Sequence, residues 1–208
     1  AKLSKRHGAT AIDEYQHDGY LPEAMRNFMV LLGWSLDDKT EIMSTQTIID
    51  NFSLDRVTKS AAIFDQEKLV WMNGIYIRQL STPELADRVM PFLERDLPSE
   101  LWPVDRGYLM RILPLIQERT KLLSDAAHLT SYFFKTSLDY DAKSLVQKGM
   151  DRPATLSALA AAKDELSRAS RFEHTPLEAS LRAAAMRLDL PARQFFGTLR
   201  VAATGREV

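Results

Sequence analysis

The chain has 208 residues, 45% of them apolar and 26% charged, which suits one or two globular domains with a proper buried core. A net charge of −1 gives no overall bias towards nucleic acid, and the absence of cysteine excludes a disulfide scaffold, a thiol nucleophile and a Cys-ligated zinc site. The histidines His7, His17, His128 and His174 are scattered without metal-ligand spacing, so no metal site is expected. No apolar run approaches the roughly 20 residues of a membrane span, and no apolar stretch follows the basic N-terminus as in a secretory signal. A cytoplasmic protein with no membrane partner is expected.

In chain order, a short strand is allowed near Thr10–Ile12. The first clear helix opens at Leu21-Pro22-Glu23, with proline at a tolerated first-turn position. Met25, Phe28, Met29 and Leu32 then recur at helical spacing, and Gly33 is expected to close it. A second helix is expected from Asp65, with Leu69, Met72 and Tyr76 on one face. A third follows Thr82-Pro83, with Leu85, Val89, Phe92 and Leu93 inward. A fourth runs from about Asp105, with Leu109, Ile112, Leu113 and Ile116 inward. Pro91 and Pro114 are expected to kink or shorten the last two.

Residues 136–152 read as a break. An alanine-rich helix follows over 154–170 with Leu156, Leu159 and Leu166 inward. Thr175-Pro176-Leu177-Glu178 has the form of a capping box opening a helix that buries Leu177, Leu181, Ala184 and Leu188. A last helix spans about 191–203. The expected class is all-α, in at least two sub-bundles.

Charge is uneven: residues 148–208 sum to about +3 and residues 1–147 to about −4. The densest basic segment is Lys2-Leu3-Ser4-Lys5-Arg6-His7-Gly8, which suits either a mobile loop that meets polyphosphate or a solvated basic tail. A second group of cations, Arg106, Arg111, Arg119 and Lys121, lies along and just after the fourth helix. Arg111 and Arg119 are eight apart and fall on one side if that helix continues. Such a row could contact nucleic acid; a surface ion pair of Arg119 with Glu118 or Asp125 is the competing reading. Trp34 and Trp71 are expected to pack in the core and Trp102 to anchor a loop. Arg26 and Asn73, in otherwise apolar helices, either brace a binding surface or cap backbone groups.

Five segments carry a resemblance that runs through the whole chain in one order: Lys2-Leu3-Ser4-Lys5-Arg6-His7-Gly8-Ala9-Thr10; Gly19-Tyr20-Leu21-Pro22-Glu23-Ala24-Met25-Arg26-Asn27-Phe28 with Leu31-Leu32-Gly33-Trp34-Ser35; Phe64-Asp65-Gln66-Glu67-Lys68-Leu69 with Trp71-Met72-Asn73-Gly74-Ile75-Tyr76-Ile77-Arg78; Leu115-Ile116-Gln117-Glu118-Arg119; and Phe195-Phe196-Gly197-Thr198-Leu199-Arg200-Val201-Ala202 with Thr204-Gly205-Arg206. The sequence resembles bacterial-type glutamyl-tRNA synthetases, class I aminoacyl-tRNA synthetases, from their KMSKS-type signature onwards. The signature departs from the general consensus at Arg6, a familiar variant within this family.

The resemblance implies that Lys2 and Lys5 are catalytic and that Lys2, Ser4 and Lys5 bind ATP. It implies anticodon or other tRNA contacts at Arg106, Arg111, Arg119 and Lys121, with weaker stem contacts at Arg26 and Asn73. It divides the chain into a signature loop with a stem-contact helical domain over 1–82, a first anticodon-binding bundle over 83–147 and a second, expected to be C-terminally truncated relative to the family, over 148–208. ATP and Mg would serve the intact enzyme, with neither expected bound to this part alone. The partner would be tRNA(Glu), with tRNA(Gln) a second candidate; no DNA partner is expected, and the family is usually monomeric. The catalytic domain that precedes the signature in the family is not present, so the chain is expected to be part of a longer protein and inactive in aminoacylation alone. The alternative is a stand-alone RNA-binding or protein-interaction module derived from a synthetase.

Overall fold

The computed structural model describes residues 11–58 and 63–206, and all the regular structure among them is helical. Between Phe134 and Lys135 the chain divides into two compact units, at the start of the break read over 136–152.

The first unit holds α1 (Ile12–Asp18), α2 (Pro22–Leu31), α3 (Thr45–Asn51), α4 (Gln66–Gln79), α5 (Thr82–Asp96), α6 (Arg106–Ile116) and α7 (Asp125–Phe134). Short 3-10 turns lie at Leu54–Arg56, Ser99–Leu101 and Gln117–Arg119. Ile12 thus begins a helix, where a strand had been allowed; Thr10 is outside the described residues. The starts of α4 to α6 follow from local chemistry. Asp65 accepts the Lys68 amide ahead of α4, Ser81 and Glu84 form a capping box on α5, and Asp105 accepts the Tyr108 amide ahead of α6.

The main core joins Leu21 just ahead of α2, Ala24 of α2, Ile77 of α4, Leu85, Val89 and Leu93 of α5, Leu109, Ile112 and Leu113 of α6, and Ala126 of α7. A smaller cluster sets Tyr15 and Tyr20 against Met25, Phe28, Leu69 and Met72. A third gathers Trp34, Met43 and Ile48 around α3. Pro91 lies inside α5, which runs on to Asp96 with Leu93 continuing the buried Leu85 and Val89 row; Pro114 lies inside α6, two residues before its end at Ile116. Met29 is 51% exposed: Met25 and Phe28 fill the inward face of α2, and no left-handed Gly33 is needed at its end.

The second unit is a bundle of α8 (Arg152–Arg168), α9 (His174–Arg187) and α10 (Ala192–Thr204), preceded by a 3-10 turn at Ala142–Leu145. Small side chains set its packing: Ala158 and Ala162 of α8 meet Ala184 and Ala185 of α9, with Phe195 of α10 filling the centre. Leu156, expected inward, is therefore 57% exposed, while Leu159 and Leu166 are only half-buried. The capping box at Thr175 does not form. Glu173 is the N-cap, Thr175 lies within the helix, and Glu178 pairs with Arg182 and His174 instead. Among the described residues no helix is long and apolar enough to cross a membrane, and no cluster of His, Asp and Glu could hold a metal ion.

Candidate nucleic-acid interface

The cationic residues singled out in the first unit fall on two elements with different surroundings. Arg106 and Arg111 are both exposed on α6 but five residues apart, which turns them about 140° from one another around the axis. The Arg106 guanidinium is engaged with α5: Nη2 and Nε lie 2.7 and 3.0 Å from Asp87 Oδ1. Arg111 lies over the Tyr108 ring at 5.2 Å, a cation–π contact.

Arg119 and Lys121 sit on the short connection between α6 and α7. Because α6 ends at Ile116 and a 3-10 turn takes over, Arg111 and Arg119 do not share one continuous α-helical face. The connection itself is firmly held. Gln117 Nε2 donates to the carbonyls of Ile77 and Leu80, both at 2.9 Å. Thr120 is buried, and its hydroxyl donates to the Ile116 carbonyl at 3.0 Å. Asn73 Nδ2 donates to the Lys121 carbonyl at 2.6 Å. Asp125 Oδ2 accepts the amides of Lys121 and Leu122. The Leu123 amide donates to the Gly19 carbonyl at 3.0 Å.

Gly19 is required at that last contact. Its φ is +94°, and a Cβ there would stand 2.6 Å from the Leu123 nitrogen. Thr120 therefore faces in while Arg119 and Lys121 face out on either side of it. The competing reading for Arg119 is not what forms: Glu118 approaches Arg78 at 3.9 Å, and Asp125 is occupied by backbone. Among the described residues no ion pair joins Arg119 or Lys121 to a carboxylate.

Of the two stem-contact candidates, Arg26 is exposed on α2, but Asn73 is fully buried. Asn73 Oδ1 accepts the Leu21 amide at 2.7 Å, and its Nδ2 reaches the Lys121 and Gly19 carbonyls. Asn73 thus caps backbone and cannot touch a ligand directly; it ties α4 to the Lys121 loop. The trio Lys2, Ser4 and Lys5 lies outside the described residues.

One feature went unseen in the sequence. Trp71, expected in the core, is 46% exposed. Helical spacing left its face open: Trp71 is about 200° around the helix from Leu69 but only about 100° from Met72. Its neighbours along α4, Gly74 and Arg78, share its stripe at i+3 and i+7 and open onto the Lys121 loop.

Comparison with known proteins identifies the family. A family model described as an anticodon binding domain matches residues 84–208, and one for the catalytic domain of class I tRNA synthetases (E and Q) matches residues 1–71. The chain belongs to this anticodon-binding family of class I tRNA synthetases. Its curated relatives include the glutamate–tRNA ligase of Dehalococcoides mccartyi, 46% identical over 209 residues covering 100% of this chain and 43% of that protein. Another is the glutamate–tRNA ligase of Roseiflexus castenholzii, 47% identical over 100% of this chain and 41% of that protein. The chain thus spans about 43% of the length of such relatives. A solved glutamate tRNA ligase from Elizabethkingia meningosepticum superposes with a TM-score of 0.77 at 26% identity, covering 99% of this chain and 43% of that one.

Proposed function

We propose that this chain is the tRNA-reading part of a glutamate–tRNA ligase that activates glutamate with ATP and transfers it to tRNA. The observation that carries this reading is the fastened loop that turns Arg119 and Lys121 outward, free of carboxylate partners among the described residues. A backbone fixed before a polyanion arrives leaves only side-chain freedom to be lost on binding, and a guanidinium fork can read a base edge with direction. In this reading 1–82 is the signature loop and stem-contact domain, and 83–147 and 148–208 are anticodon-binding bundles. Arg106 and Arg111 contribute charge along α6, and Arg26 contributes on the stem side. ATP, with Mg, supplies the activated phosphoanhydride in the whole enzyme, with Lys2, Ser4 and Lys5 as its phosphate contacts. The partner is tRNA(Glu), bound by a monomer in the cytoplasm.

Titration of the 208-residue chain with tRNA(Glu) and tRNA(Gln) at several salt concentrations tests this. Affinity should fall steeply with salt. Arg119→Gln should weaken tRNA(Glu) binding about 10-fold and narrow the preference between the two tRNAs. Salt-independent binding, or none, would overturn the reading; an unchanged preference in Arg119→Gln would remove Arg119 from it.

A further inference from the structure

On α4, Trp71, Gly74 and Arg78 line a cleft of about 470 Å³ that Lys121 closes from across, with Val70 and Glu67 at its edge. An indole 46% exposed is a large apolar surface left uncovered. Gly74 is buried, and its lack of a side chain lets Arg78 and Lys121 lie close over it: a Cβ there would stand 3.2 Å from Arg78 Nη1 and 3.7 Å from Lys121 Cα. Arg78 has only a 3.9 Å approach to Glu118, which is 85% exposed, so an incoming anion competes with a weak partner. A flat aromatic face and two cations lining one cleft fit one ligand chemistry well. That chemistry is a base with a phosphate attached.

We propose that this cleft holds a single unstacked nucleotide of an RNA chain, its base against Trp71 and its phosphate between Arg78 and Lys121. The inference rests on the tRNA-binding reading and deepens it. A base can lie on Trp71 only if it has left its own stack, so the cleft selects a loop or bulge nucleotide and rejects a regular duplex.

The test uses the 208-residue chain with a tRNA(Glu) transcript, an A-form RNA duplex and polyglutamate as probes. Trp71→Ala should weaken tRNA binding about 10-fold with an unchanged far-ultraviolet circular dichroism spectrum, and Trp71→Phe should recover most of it. Addition of tRNA should quench tryptophan emission in the wild type and leave it nearly unchanged in Trp71→Phe. The duplex should quench neither. Arg78→Gln and Lys121→Gln should each lower the salt dependence by about one phosphate contact. If the wild type binds tRNA but Trp71→Ala binds equally well, or if duplex or polyglutamate quenches as strongly as tRNA, the nucleotide cleft is wrong while the tRNA-binding reading stands. A wild type that binds no tRNA overturns both.

Discussion

Asn73 shows how one buried amide decides where a functional loop sits. Its Oδ1 and Nδ2 make three hydrogen bonds, to Leu21, Lys121 and Gly19, none of them a near neighbour in sequence. Removing the side chain strands a buried amide and a carbonyl, each worth about 1–3 kcal/mol. Asn73→Ala should therefore destabilise the chain by roughly 3 kcal/mol, read as a lowered urea midpoint. It should also loosen the Lys121 loop, read as faster amide exchange at residues 117–124. An unchanged midpoint would mean that water replaces the amide. The sequence allowed this residue to cap backbone or to brace a ligand, because composition around it is apolar in either case. Burial alone chose the first.

Elements whose starts depend on neighbours in sequence were readable in advance. Asp65, Ser81 with Glu84, and Asp105 satisfy amides within three residues, so the pattern carries its own geometry. Pairings between elements were not readable. Glu23 of α2 and Arg88 of α5 form a fork with contacts of 2.9 and 3.0 Å across 65 positions. The hydrogen bonds from Arg88 hold the Glu23 carboxyl below its ordinary value of 4.5, against the opposing effect of burial. A carboxyl whose folded value is lowered stabilises the fold above its unfolded value, and that contribution is lost as pH falls through the lowered one. The stability difference between wild type and Glu23→Gln should thus be present at neutral pH and shrink below pH 4.5. Urea midpoints measured against pH would show it; a gap that stays constant into acid would mean the ionised pair contributes nothing.

At the scale of the whole chain, each unit has its own core, and the two are built differently. The first is rich in leucine and isoleucine; the second brings alanine faces together around one large side chain, Phe195. With so little else to fill the centre, Phe195→Ala should cost the second unit about 3–5 kcal/mol. Amides of α8 to α10 should lose exchange protection while those of α4 to α7 keep theirs. Loss of protection throughout would show that the units unfold as one.

The sequence by itself determined the helical class, the starts of α4 to α6, their buried rows and the resemblance carried by five ordered segments. All of these are local: periodicity, caps and motifs are written in residues a few positions apart. Only the tertiary structure decided that Leu156 and Trp71 face outward, that Thr175 is no cap and that Asn73 is interior. It also decided that Arg119 and Lys121 stand free on a fastened loop. Those outcomes depend on which distant surface arrives opposite each side chain, and helical spacing names a face without naming what covers it.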